Sequence, residues 1–232
     1  MHTLDEIREA IRQLPVDQRW KIEACLRELD DSPGPESQVQ EARPAYATSD
    51  LFFMTLEEFF EFEEASPVRH EFIDGAIFAM TGASRAHNFI TQNLASVIRS
   101  HLTRGPCKVF SFEMKLVIRR DVNNISYYPD VIVDCRPDPR DTHCVQNPKL
   151  IAEVLSPSTQ LVDRREKLQN YRLIDSVEEY VLVAQDERRV TVYSRAERWK
   201  PRVYGGTDAA VELRSIDLAV PLADLYRDVP AA

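Results

Sequence analysis

The sequence predicts an α/β chain of the mixed α+β kind, a central mixed sheet flanked by helices, with an N-terminal helical pair ahead of it. Three observations predict this. From Thr55 onward, helical periodicity and strand alternation follow one another as helix, hairpin, helix, three strands, helix and hairpin, the pattern of helices packed on one sheet. KLIAEVL (149–155) is a short apolar run of the sort buried at a sheet centre. The 232 residues, 44% hydrophobic and 29% charged, suffice for one full domain and a small appendage.

Residues 1–30 read as an N-terminal helical hairpin. Thr3-Leu4-Asp5-Glu6 has capping-box spacing, and Leu4, Ile7, Ile11 and Leu14 recur at helical intervals. Pro15 ends that helix or opens the next, which carries Trp20, Ile22, Leu26 and Leu29. Helices this short are marginal alone, so they are expected to pack on the main domain, on a second copy or on a partner. Residues 31–48 hold three prolines and one glycine among polar residues and read as a linker.

Residues 49–228 form the main domain. TLEEFFEFEEA is an amphipathic helix with a Thr N-cap and an acidic first turn. HEFIDGAIFAM places two apolar runs around Asp74-Gly75, a strong hairpin signal. A long helix runs from Ser84 to about Thr103, with Phe89, Leu94, Val97, Ile98 and Leu102 facing the core. KVFSFEMKLVIR (108–119) and YYPDVIVDC (127–135) pair as strands across a turn at Asp121–Asn124. After strand 149–155 comes a helix capped by Asp163 and reaching about Asp175. EEYVLVAQ and RRVTVYSR make the last hairpin around Asp186-Glu187, and short strands finish the chain.

The expected setting is cytoplasmic. No apolar run approaches the roughly 18 residues a membrane span needs, and the charged N-terminus is unlike a secretion signal. Cys25, Cys107, Cys135 and Cys144 are far apart, without metal-binding spacing, and read as reduced thiols. The net charge of −9 argues against tight nonspecific binding of nucleic acid by this chain alone. It does not exclude an enzyme acting on DNA, because a Mg²⁺ site is itself built from carboxylates.

Two carboxylates carry the chemistry. Asp130 follows Pro129 at the start of VIVDC, and Glu153 lies inside the apolar strand IAEVL. A carboxylate in an apolar strand is costly unless it is paired, hydrogen-bonded or metal-bound. Two on neighbouring strands suit Mg²⁺, which keeps several waters and takes one or two protein carboxylates. Asp163, Lys167 and Tyr171 recur every four residues on one helix face, and if that face looks back at the end of strand 149–155, Lys167 can approach Glu153 through space.

The succession HEFIDGAIFAMTGAS, YYPDVIVDC, EVLSPST, D-x-x-x-K-x-x-x-Y and EYVLV resembles the Uma-type family of predicted bacterial restriction endonucleases, within the PD-(D/E)XK nuclease superfamily. The likeness covers roughly residues 52–200. It implies a restriction-endonuclease-like core, a Mg²⁺ (or Mn²⁺) cofactor and hydrolysis of phosphodiester bonds in DNA. It implies metal ligation by Asp130, Glu153, the Val154 carbonyl and Glu71, the glutamate ahead of the Asp-Gly hairpin. Leu155 stands where the general pattern has lysine, so the resemblance assigns the ammonium to Lys167. His87, at the start of the long helix, and Tyr171 are candidate substrate contacts.

Plainer readings exist for each residue taken alone. Asp130 is then a strand-entry residue, Lys167 a solvated helix lysine, His87 a helix-start hydrogen-bonder and Tyr171 a packing residue. Ser156, Ser158 and Thr159 have no His-Asp pair spaced to activate them and shape a turn. Glu113-Met114-Lys115 is a rival E-x-K, with both charged side chains on one strand face, but it precedes the aspartate. Two other classes compete with the nuclease. One is a catalytically silent binding or regulatory module. The other is a toxin–antitoxin-like component, because LPVDQRWKIEACLREL resembles the leucine-proline helical stretch of some addiction-module antitoxins. The expected partners are a DNA substrate, a second copy of the chain, or a protein bound through residues 1–30, with no membrane.

Overall fold

The computed structural model describes residue 10 and residues 54–80, 82–120, 124–137, 142–157, 160–206 and 209–229. The predicted N-terminal helical hairpin, the linker, most of the Asp121–Asn124 turn, Ser158 and Thr159 lie outside the described residues. Described residues within Met1–Met80 and Arg119–Ser126 belong to one compact unit, and those within Thr81–Ile118 and Tyr127–Ala232 to another.

In the first unit, α1 (Leu56–Ala65) begins at a reciprocal capping box. Glu58 N–H donates to Thr55 Oγ1 at 3.2 Å, and Thr55 N–H donates to Glu58 Oε2 at 2.9 Å. Leu56 and Phe59 are buried, and Phe59 stacks on Phe72 at 5.0 Å. β1 (His70–Ile73) and β2 (Ala76–Ala79) form the expected hairpin. Its turn needs positive φ at both central residues, and Asp74 (52°) and Gly75 (95°) supply them. Buried Glu63 accepts from the His70 backbone and meets its Nδ1 at 2.9 Å, tying α1 to the hairpin.

The second unit is built on a six-stranded mixed sheet. Its members are β3 (Lys108–Ser111), β6 (Val131–Asp134), β8 (Leu150–Leu155), β9 (Glu179–Ala184), β10 (Arg189–Ser194) and β11 (Pro201–Gly205). They lie side by side as β11-β10-β9-β8-β6-β3, with β8 and β9 parallel and the other neighbours antiparallel. β8 is central and buried along its whole length, as KLIAEVL predicts. Strand alternation sorts its residues onto two faces. Leu150, Ala152 and Val154 join Val131, Val133, Val181, Val183, Val190 and Val192 in a core with Ile90, Leu94 and Ile98 of α2 (Arg85–His101). Ile151, Glu153 and Leu155 project to the opposite face.

Ser84 caps α2 by accepting the His87 N–H at 3.0 Å. Leu94 and Ile98 are buried in the core and Val97 and Leu102 pack against it, as predicted; only at the start of the stripe does fully buried Ile90 take the place expected of half-buried Phe89. The remaining elements are β4 (Lys115–Ile118), parallel to β7 (Cys144–Val145), and β5 (Ile125–Tyr127), whose Ile125 and Ser126 pair with β1 inside the first unit. A ribbon of β12 (Ala210–Leu213) and β13 (Leu218–Pro221) and a short α5 (Leu222–Leu225) complete the second unit.

Three expectations are corrected. The strand predicted over 108–119 breaks into β3 and β4, because Phe112 and Glu113 are left-handed, with φ of 55° and 45°. Glu113 therefore lies outside the strand, and the shared-face argument for Glu113 and Lys115 fails. The strand predicted over 127–135 is interrupted at Tyr128–Asp130, where Pro129 has no N–H for a ladder. Finally, Cys107 and Cys135 form a disulfide and are not reduced thiols. The β3–β6 register pairs Lys108 with Asp134, so the next pair outward is Cys107 and Cys135. Cys144 is free. The cysteine argument for a reducing compartment thus lapses. Among the described residues no helix is long and apolar enough to cross a membrane.

Tyr226 closes the end of the β9–β10 hairpin. Its hydroxyl lies 2.8 Å from the Ala184 carbonyl and 3.0 Å from that of Arg189, and it accepts the Arg189 N–H at 3.1 Å. Burial pushes its pKa up to about 12. Tyr226→Phe is expected to cost about 1–2 kcal/mol in urea unfolding at neutral pH. A raised phenol favours the fold fully below the unfolded value near 10. That contribution, roughly 2–3 kcal/mol, is lost between pH 10 and pH 12. The phenylalanine variant should show a shallower alkaline decline over that window.

Candidate active site

The β6–β8 register brings the two carboxylates together. Val131 pairs with Ala152 and Ile132 with Ile151; one step further, Asp130 stands opposite Glu153. The pairing is carried on by side chains where the ladder stops. Val154 N–H donates to Asp130 Oδ2 at 2.7 Å, and Asp130 N–H donates to Glu153 Oε2 at 3.4 Å. Asp130 is partly exposed, whereas Glu153 is 4% exposed.

The helix after β8 covers the Glu153 face. It starts as α3 (Gln160–Val162), opens into a π turn (Asp163–Lys167) and closes as α4 (Leu168–Tyr171). Asp163 is not the N-cap the sequence suggests. It sits inside the π turn, 2% exposed, drawn inward by a lysine that is itself 5% exposed. Such turns are rare and recur at functional sites.

Lys167 Nζ is 3.2 Å from Glu153 Oε1 and 3.2 Å from Asp163 Oδ1, and it stands 5.2 Å from the Tyr127 ring centroid. Asp163 Oδ1 is buried with no hydrogen bond and depends on that ammonium. Tyr171 OH donates to Glu153 Oε1 at 2.9 Å. Tyr180 OH donates to the Asp163 carbonyl at 3.0 Å. Tyr171 meets Tyr180 and Tyr127 edge-on, at 5.1 and 5.5 Å. The Tyr127 hydroxyl donates to Glu166 and accepts from Asn170. Burial and the neighbouring Glu153 and Asp163 charges hold the Tyr180 pKa well above the ordinary phenol value, so its proton stays in place.

His87 reaches the pair from the first turn of α2, with Nε2 3.2 Å from Asp130 Oδ2. Burial works against its charged form. The hydrogen bond and charge of Asp130, aided by Asp163 and the Val154 backbone, nevertheless carry its pKa above the ordinary value.

Asp130, Glu153, Val154, Lys167, Tyr171 and His87 therefore share one cluster of the second unit. Glu71 is half-buried on β1 and belongs to the first unit. The sequence reading missed Asp163, Tyr127 and Tyr180 as members. Asp163 was legible through its spacing from Lys167; the two tyrosines gave no signal, because only the register of β5 and β9 places them.

The donor set fits a hard divalent cation. It offers the Asp130 and Glu153 carboxylates, to which the family resemblance adds the Val154 carbonyl, all oxygen. Among the described residues no three His, Cys, Asp or Glu side chains gather as a metal cluster, so water would complete the shell, as Mg²⁺ prefers.

The family model described as "Uma2: Putative restriction endonuclease" matches residues 56–223. The chain belongs to this family. Among relatives of this Uma2 chain are two Synechocystis sp. proteins, both named as uncharacterized. The protein slr1290 is 34% identical over 175 residues, covering 74% of this chain and 90% of that one. The protein sll1609 is 33% identical over 165 residues, covering 68% and 92%. The Uma2 fold seen here is also that of an Anabaena variabilis crystal structure titled "a putative nuclease belonging to DUF820". That match has a TM-score of 0.61 at 23% identity, over 75% of this chain and 97% of that one. Mixed α/β, restriction-endonuclease-like architecture is thus established for this chain.

Lys167→Met is expected to leave Glu153 and Asp163 buried without a countercharge. Urea denaturation should register a loss of about 3–5 kcal/mol. A change within about 0.5 kcal/mol, typical of surface positions, would mean that Lys167 is not the counter-ion described.

Proposed function

We propose that this chain is a Mg²⁺- or Mn²⁺-dependent phosphodiesterase, most simply an endodeoxyribonuclease. One observation carries the reading: Asp130 and Glu153 stand opposite each other at the end of the β6–β8 ladder, with a buried ammonium on Glu153. Asp130, Glu153 and the Val154 carbonyl would hold the ion. The bound ion would lower the pKa of a water and polarise the scissile phosphate.

The chain's own groups do the rest. Lys167 is fixed by Asp163 on one side and Glu153 on the other, so its charge is aimed before substrate arrives. An ammonium held this way orients an attacking water and offsets charge developing on phosphate, without reorganising during the reaction. Tyr171 steadies Glu153 through its hydroxyl. The tyrosines packed around Lys167 keep bulk water from screening it. Asp130 is the wetter carboxylate, on the side from which ion and substrate would enter.

The test is cleavage of supercoiled plasmid and of mixed genomic DNA with Mg²⁺ or Mn²⁺, against a chelator control. Wild type should nick or cut in a metal-dependent way. Folded Asp130→Asn and Glu153→Gln should each lose at least about 100-fold in rate. Activity retained in both would overturn the assignment. A folded wild type that binds metal but cuts no nucleic acid would favour the silent binding module.

A further inference from the structure

The position of His87 bears on how the ion would enter. The imidazole touches Asp130 at Oδ2, the atom that also takes the Val154 N–H. The imidazole thus engages a carboxylate oxygen that the proposed function gives to the divalent cation. A side chain of the protein itself already occupies part of the cation's donor set.

We infer that His87 is a resident stand-in for the metal: its side chain occupies the ion's place at the Asp130 carboxylate, and a divalent cation must displace it to bind. The inference rests on the carboxylate-site reading and adds a competition to it. His87 is well placed for such exchange. It lies in the first turn of α2, and its backbone N–H is held by Ser84, so the ring can leave without disturbing the cap. Its side chain is 17% exposed, beside an Asp130 side chain that is 19% exposed, so there is a path for water and ion. Lys167 is the contrast. It is nearly fully buried between two carboxylates and cannot exchange in this way. The carboxylates therefore have one fixed partner, Lys167, and one replaceable one, His87.

The test is calorimetric titration of Mg²⁺ and of Mn²⁺ into wild type, His87→Ala, His87→Gln and Asp130→Asn, each checked for folding by circular dichroism. If His87 competes with the ion, His87→Ala should bind both metals on the order of tenfold more tightly than wild type. An unchanged constant would overturn the inference and leave the metal site standing. Weaker binding would make His87 a ligand, and would overturn it equally. Absence of metal binding in wild type and both His87 variants would instead defeat the carboxylate-site reading beneath it. A second readout needs no variant. In wild type, the His87 ring resonances should shift with the same saturation midpoint as Mg²⁺ binding, while those of His70 and His101 stay put. A His87 signal that does not respond to bound Mg²⁺ would also overturn the inference.

Discussion

The site depends on a buried charge that has to be answered. Glu153 projects from the central strand into a face closed by the helix after it, and Lys167 is the group that makes this tolerable. Desolvating a carboxylate and an ammonium costs several kcal/mol each, offset only by close pairing and further hydrogen bonds. Lys167 meets that condition with two carboxylates within 3.2 Å and an aromatic ring beside it. Two carboxylates facing one ammonium still leave the cluster negative. An excess of negative charge around oxygen donors is what a divalent cation would neutralise.

The sheet explains why the charge is where it is. In β8, Leu150, Ala152 and Val154 belong to the core against α2, so period-two alternation sends Glu153 to the other face. The antiparallel partner β6 stops at Val131, just after Pro129 and Asp130. Beyond that point the Val154 N–H has no strand to bond and takes the Asp130 carboxylate instead. The same strand end thus positions both carboxylates. His87 arrives there because α2, whose apolar stripe packs on the sheet, begins at Ser84. The site is the place where a ladder ends and a helix begins.

Local signals were legible and non-local ones were not. Helices and hairpins with their own caps and turns, such as Thr55 with Glu58 or Asp74 with Gly75, follow from a few neighbouring residues. That Asp163, Lys167 and Tyr171 share a helix face was also legible from i, i+4 spacing, whereas the pairing of Lys167 with Glu153 was implied by the family resemblance. The Cys107–Cys135 disulfide was not legible, because it depends on how β3 and β6 slide past one another. Neither was the π turn: Asp163 reads as a cap because it stands where the helix is expected to begin, and only the buried ammonium explains its inward position. The break at Phe112–Glu113 likewise ran against a stretch rich in apolar and β-branched residues, where propensity favours one long strand.

Anomalous diffraction from crystals of the wild-type chain soaked in Mn²⁺ tests the central claim most directly. The account predicts a single ordered peak bounded by Asp130, Glu153 and the Val154 carbonyl, with Lys167 still paired to Glu153. A site without a peak at saturating Mn²⁺, its carboxylates still satisfied only by the chain's own donors, would contradict it.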